Sequence, residues 1–184
     1  ITKITTEDMQ YAKALGMNIK LLAECKHVDG TLYAGVAPVL LHAEHPLYSV
    51  NGVFNAVFVK GNMLGDAMFY GSGAGKLPTA SAVVADVVDE AKHLNRNIMT
   101  MWKEEKLCLE DKADSKRRFF VRINGKEEDM VPQLQESYGE IEVIKVPELE
   151  GEFGFVTPVM MEGDYETRSK LYKEQIVHMI RVQD

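Results

Sequence analysis

The sequence predicts an α+β protein: a mixed sheet with packed helices, followed by a small βαββαβ unit. Three observations carry this expectation. Segments 18–26, 31–41, 50–60 and 64–70 read as successive strands before one long helical pattern, which is how an α+β sheet layer is laid out. Residues 119–182 then alternate between strand-like and helix-like periodicity, the order of a split βαβ unit. Between the two, after Asn95, apolar residues thin out and charges of mixed sign take over.

Taken in order, Thr5-Thr6-Glu7-Asp8 is a helix-start pattern, with Met9, Tyr11, Ala12 and Leu15 on one stripe and Gly16 as the stop. Ile19, Leu21, Ala23 and Cys25 alternate with Lys20 and Glu24, an amphipathic strand. Asp29-Gly30 is a hairpin turn into the strand 31–41, and 42–46 is a loop. The strand 50–60 is apolar enough to be covered on both faces, and Lys60-Gly61-Asn62 turns it into 64–70. Next comes Gly71-Ser72-Gly73-Ala74-Gly75-Lys76-Leu77-Pro78-Thr79. Pro78 suits a first helical turn, where its missing N–H costs nothing. Ala80, Val83, Val84, Val87, Val88 and Ala91 repeat at helical spacing, the apolar face of a core helix. The charged stretches 103–106 and 110–118 read as a solvated linker, with the boundary at 103–116. Beyond it lie strand 119–123, helix 126–137 with Pro132 inside, strands 141–145 and 153–160, helix 165–175 and strand 177–182, punctuated by Gly125, Gly139 and Gly163.

The composition excludes several partner classes. A net charge of −7 in 184 residues disfavours nucleic acid and acidic membrane surfaces. Two cysteines, Cys25 and Cys108, make neither a disulfide framework nor a paired metal motif and fit a reducing cytoplasm. No apolar run reaches the length of a membrane span. The chain opens on Ile1-Thr2-Lys3-Ile4 without Met, and reads as though entered mid-protein.

The glycine turn is the one stretch with chemical promise. Glycine lets another molecule approach the backbone, and such a turn opening a helix offers N–H groups to an anion or carbonyl. It matches neither common phosphate motif. The dinucleotide fingerprint needs a third glycine where Lys76 stands, and the P-loop needs Ser or Thr where Leu77 stands. From spacing alone it is a tight turn before a core helix. His27, His42, His45, His93 and His178 have no partner at helical spacing, so no metal site is expected. Cys25-Lys26-His27 is a strand tail, Asp86, Asp89 and Glu90 a solvated helix face, and the ten methionines core filler. There is no Gly-x-Ser-x-Gly elbow.

Three segments, Asn51–Val57, Phe69–Gly75 and Leu77–Asp86, resemble homoserine dehydrogenase. Ile1–Thr5 with Asp8, Ala12, Gly16 and the strand Ile19–Leu22 is similar to the segment before them in that family, and His45-Pro46-Leu47 also fits. The resemblance covers residues 1–94. It implies NAD- or NADP-dependent interconversion of L-homoserine and L-aspartate 4-semialdehyde, on the way to threonine, methionine and isoleucine. It implies that residues 1–102 are the C-terminal part of a substrate-binding and dimerisation domain, and the protein a homodimer or higher homo-oligomer. Gly75 is then a cofactor contact, with Gly73, Ala74 and Thr79 lining the same cleft. The catalytic lysine and acidic residues, and the nucleotide-binding domain, are expected upstream of Ile1. Without them the fragment is expected to be inactive.

Residues 117–184 resemble the ferredoxin-like ACT regulatory domain that follows in many bacterial members, which implies L-threonine as an effector. Two departures stand out. Ala37-Pro38 replaces a His-Pro pair common in the family. Asn124-Gly125-Lys126-Glu127-Glu128 keeps a glycine but lacks the Pro-Gly pair usual in the ACT ligand turn. The alternative function is an amino-acid-binding regulatory and dimerisation module.

Overall fold

The computed structural model describes residues 3–28, 30–99, 101, 102, 104 and 106–183. It is an α+β arrangement in two compact units, one formed by 1–45 with 107–184 and the other by 46–106. This spatial grouping differs from the division expected along the chain, because strand pairing joins the first two strands to the last.

In the first unit, helix α1 spans Thr6–Ala14. Thr5 caps it: its hydroxyl accepts from Asp8 N while the Asp8 side chain accepts from Thr5 N, the reciprocal pattern of a capping box. Gly16, at φ 67°, follows the last turn in the left-handed conformation that ends helices. Strands β1 (Met17–Val28) and β2 (Thr31–His42) pair antiparallel up to Val28 opposite Thr31. Of the expected Asp29-Gly30 turn, Gly30 has φ 80°, and Asp29 lies outside the described residues. The second unit holds β3 (Phe54–Gly61), β4 (Gly65–Ser72) and α2 (Lys76–Lys92). β3 starts four residues later than expected, since Gly52 at φ 65° turns the chain and Phe54 N donates to Asn51 O.

Chain returns to the first unit with a short turn at Lys112–Asp114, then β5 (Lys116–Asn124), α3 (Glu127–Tyr138), β6 (Glu142–Ile144), β7 (Glu152–Val156), β8 (Met160–Met161), α4 (Glu162–Ser169) and β9 (Ile176–Gln183). The sheet order is β1-β2-β9-β5-β7-β6, with β8 also on β5. All pairings are antiparallel except β2 with β9, so the sheet is mixed. Within it β9-β5-β7-β6 completes the βαββαβ succession.

The central strand β5 is covered on both faces. Phe119, Val121 and Ile123 pack with Leu134, Tyr138, Tyr165 and Tyr172 of the α3/α4 side. Phe120 faces the other way, with Tyr11 and Ala12 of α1. That is the period-two alternation of a strand between two layers. Burying one such ring stabilises by roughly 1.5–3 kcal/mol.

Three local expectations need correction. Strand 153–160 is broken, because Thr157 hydrogen-bonds Phe119 and Pro158 then removes a donor. Helix 165–175 starts earlier and ends earlier, as α4 followed by a tight turn at Lys170–Tyr172. The charged stretch 116–118 is strand rather than linker: Arg117 is buried, donating to Glu24 Oε2 at 2.8 Å, with its guanidinium over the Tyr33 ring. Lys103 and Glu105 of the other charged stretch lie outside the described residues.

Candidate functional site

The glycine turn has a defined geometry. β4 pairs antiparallel with β3, placing Asn55 opposite Gly71 and Phe54 opposite Ser72. Gly73 N then donates to Val53 O at 3.1 Å, extending the hairpin by one bond. A Cβ on Gly73 would lie 1.5 Å from Asn55 Nδ2, so the Asn55 amide occupies the space a side chain would need. Gly75 is the N-cap of α2 at φ 125°, ψ 152°, a region essentially reserved for glycine. Thr79 N donates to Gly75 O at 3.1 Å, and Pro78 has no N–H to offer. No side chain caps α2, so the first-turn N–H groups of Lys76 and Leu77 have no intrahelical acceptor. Gly73, Ala74, Gly75 and Thr79 are all exposed on this rim.

Such an edge can bind an anionic or carbonyl group through backbone donors, with the positive end of α2 adding to the attraction. The first turn carries no acidic residue to oppose it.

Around this turn the second unit is open. No residue of α2 is buried, with Val83, Val84 and Val87 each more than half exposed. On the hairpin Val57 is 63% and Phe69 69% exposed. The expected core helix and doubly covered strand thus present bare apolar surface on this chain. Leaving that much apolar surface in water costs free energy that packing would recover.

A cavity of about 430 Å³ lies in the first unit, at the β5–α3 turn and the segment before β7. Gly125, Lys126, Glu127, Lys145, Gly151 and Glu152 help line it. Gly125 sits at φ 139°, where a Cβ would meet Met130 Sδ at 2.3 Å, and its N–H donates to Gly151 O at 2.9 Å. Lys145 Nζ pairs with Glu127 Oε2 at 2.6 Å, and that hydrogen bond raises the lysine above its ordinary value. Behind the cavity, burial together with the Glu152 charge pushes the Tyr11 hydroxyl up to about 12, against the pull of Arg122. Among the described residues no group of three or more His, Cys, Asp or Glu side chains is placed to hold a metal ion.

Known proteins match this chain on both sequence and structure. Residues 1–88 match the profile described as homoserine dehydrogenase. Residues 1–88 belong to the homoserine dehydrogenase family. The homoserine dehydrogenase of Lactococcus lactis subsp. lactis is 47% identical over 85 residues, covering 46% of this chain and 20% of that protein. That of Bacillus subtilis is 35% identical over 131 residues, covering 70% and 30% respectively. The crystal structure of the homoserine dehydrogenase from Thiobacillus denitrificans covers the whole chain and 46% of its own, at 25% identity and a TM-score of 0.78. That of S. aureus at pH 7.0 likewise covers 100% and 46%, at 27% identity and a TM-score of 0.73. The match thus spans 20 to 30% of these two curated relatives. The relatives are oxidoreductases by name.

Within the homoserine dehydrogenase segment, the glycine turn and all four residues singled out in it fall inside the profile match, which ends at residue 88. Asn55 escaped the sequence reading as a partner of Gly73. The hairpin register set by Gly61 opposite Gly65 is the signal that would have found it. Lys145 and Glu152 also escaped, since their approach to Gly125 depends on β6 and β7 folding back along β5.

Proposed function

We propose that this chain is the C-terminal part of a homoserine dehydrogenase: part of its substrate-binding and dimerisation domain, followed by an ACT-like, ferredoxin-like regulatory domain at 117–184. The reaction of the whole enzyme is the interconversion of L-homoserine and L-aspartate 4-semialdehyde, in a soluble cytoplasmic pathway toward threonine, methionine and isoleucine. The observation that carries this reading is the glycine turn before α2. A fully exposed rim, one glycine held where no other residue sits comfortably, and an uncapped helix start fit a wall built for a ligand.

On this reading Gly73, Ala74, Gly75 and Thr79 hold one side of NAD or NADP, and that cofactor carries the hydride. Their part is to orient it through backbone donors. The general acid/base residues and the second wall belong to a nucleotide-binding part that is not among these residues. The polypeptide alone therefore does not transfer hydride, because the fold's contribution is to set cofactor against substrate. Measuring NAD(P)H oxidation with L-aspartate 4-semialdehyde tests this. The 184 residues alone are expected to be silent, and the Bacillus subtilis relative carrying this segment in place of its own is expected to be active. Turnover by the isolated polypeptide would overturn the reading of it as an incomplete catalyst.

The bare faces of α2 and the β3–β4 hairpin support a homodimer or higher homo-oligomer in the whole enzyme. The cavity at Gly125 supports the second reading, an amino-acid-binding module with L-threonine as effector, since it sits at the turn where the ACT resemblance places a ligand.

A further inference from the structure

Gly73 and Asn55 fit each other in a way that the backbone of the turn does not require. Gly73 lies outside the left-handed region, so strain does not reserve the position for glycine. What bars a side chain there is Asn55. Its amide nitrogen takes the place of a Cβ on Gly73, and Asn55 Cβ stands 3.1 Å from that point. The hairpin register brings the two together, since Asn55 is opposite Gly71 and Gly73 N donates to Val53 O. Strand alternation then places Asn55, Gly71 and Gly73 on one face.

Asparagine is disfavoured in strands, and this one is exposed. Its side-chain amide hydrogen-bonds no other described residue. It therefore brings two N–H donors and a carbonyl acceptor to the edge of the turn. The uncapped start of α2, by contrast, offers donors alone. Gly73 and Gly75 are two residues apart, a span of at most about 7 Å, so one ligand can meet both.

We propose that Asn55 is a further binding residue of the glycine-turn site, and that it recognises the carboxamide of the nicotinamide ring. The proposal rests on the cofactor reading of that turn given above. A carboxamide presents an acceptor oxygen and a donor nitrogen side by side on one flat group. The Asn55 amide is the same group reversed, donating to that oxygen while accepting from that nitrogen. Ser72 and Thr79 carry single hydroxyls, which lack this flat two-point form. The missing side chain at Gly73 leaves the amide its seat and limits its rotation.

The test uses the Bacillus subtilis relative carrying this segment in place of its own. NAD and NADP are each compared with the 3-acetylpyridine analogue, in which a methyl replaces the carboxamide NH2. Calorimetry reads binding without turnover. The native segment should bind the nucleotide about fivefold more tightly than its analogue, the worth of one hydrogen bond. Asn55→Ala should weaken the nucleotide and abolish that preference. Asn55→Asp, which keeps the shape and the acceptor, should retain it, and it decides the matter if Asn55→Ala does not fold. Equal weakening of nucleotide and analogue by Asn55→Ala would mean that Asn55 only supports the turn, and the carboxamide assignment falls. No preference in the native segment, or its loss in Asn55→Asp, overturns that assignment too while the cofactor reading survives. Failure of the folded chimera to bind either nucleotide overturns the cofactor reading itself, and the proposal with it.

Discussion

Arg122 and Asp8, 114 residues apart in the chain, meet at 2.7 Å with the carboxylate wholly buried. The same carboxylate completes the α1 capping box and takes His178. Asp8→Ala therefore removes a cap and leaves the buried Arg122 only the longer of its carboxylate contacts, to Glu152 and Glu7. Breaking one side of such a pair costs up to roughly 3–5 kcal/mol, whereas Thr5→Ala, which removes the cap hydroxyl and one acceptor of Arg122, should cost about 1–2 kcal/mol. Urea denaturation of the two variants measures the gap. Equal losses would mean that Asp8 acts only as a cap.

The acid limb of stability should report on Glu162. Burial pulls its carboxyl up, but hydrogen bonds from Arg181 and Lys112 outweigh that and hold it below the ordinary glutamate value. A lowered folded value contributes stability that is complete above the unfolded value, about 4.3. That contribution is lost as pH falls below there and through the folded value. Glu162→Gln should thus be less stable than the native chain at pH 7, with the difference shrinking steadily in acid. Thermal melts across pH 3 to 7 would show it, and a pH-independent difference would contradict the assignment.

Gly75→Ala tests the turn before α2. The position has φ 125° and ψ 152°, so the cost is conformational and roughly 1–3 kcal/mol whatever the space around it. Its neighbour Ala74→Gly should change stability far less. Amide chemical shifts of residues 73–80 should move in the first variant only. An unperturbed Gly75→Ala would show that the turn tolerates a side chain, and with it the case for a built rim would fall.

Much of this architecture is local and was legible on that account. Thr5, Asp8 and Gly16 bound α1 by capping chemistry alone, and the short aromatic and β-branched run Phe119–Ile123 marks a strand. What escaped is nonlocal or counter to type. The parallel pairing of Val39 with Arg181 joins segments with no shared sequence signal. Arg117 reads as a solvent-facing charge until Glu24 is seen to neutralise it. The apolar stripe of α2 reads as core, yet none of its residues is buried among the described residues. For the site, the glycine turn announces itself within nine residues, whereas the cavity draws Gly125, Lys145 and Glu152 from three separate segments.

Gly154 tests how tightly α1 is fitted to the sheet. It lies in β7, opposite Arg122 of β5. A Cβ there would come within 2.7 Å of Phe120 Cε2 and 3.0 Å of Tyr11 Cδ1. Both rings are fully buried, with centroids 5.5 Å apart, and a ring cannot bend out of the way as a flexible side chain can. Gly154→Ala should cost about 1–3 kcal/mol, the usual range for overpacking a dense core. Adding Phe120→Leu removes the ring that the methyl strikes first, so the double variant should lose less than the sum of the two single losses. A double-mutant cycle by urea denaturation measures that coupling. Strict additivity would show that the methyl is accommodated by movement of the β7 backbone rather than resisted by the Phe120 ring.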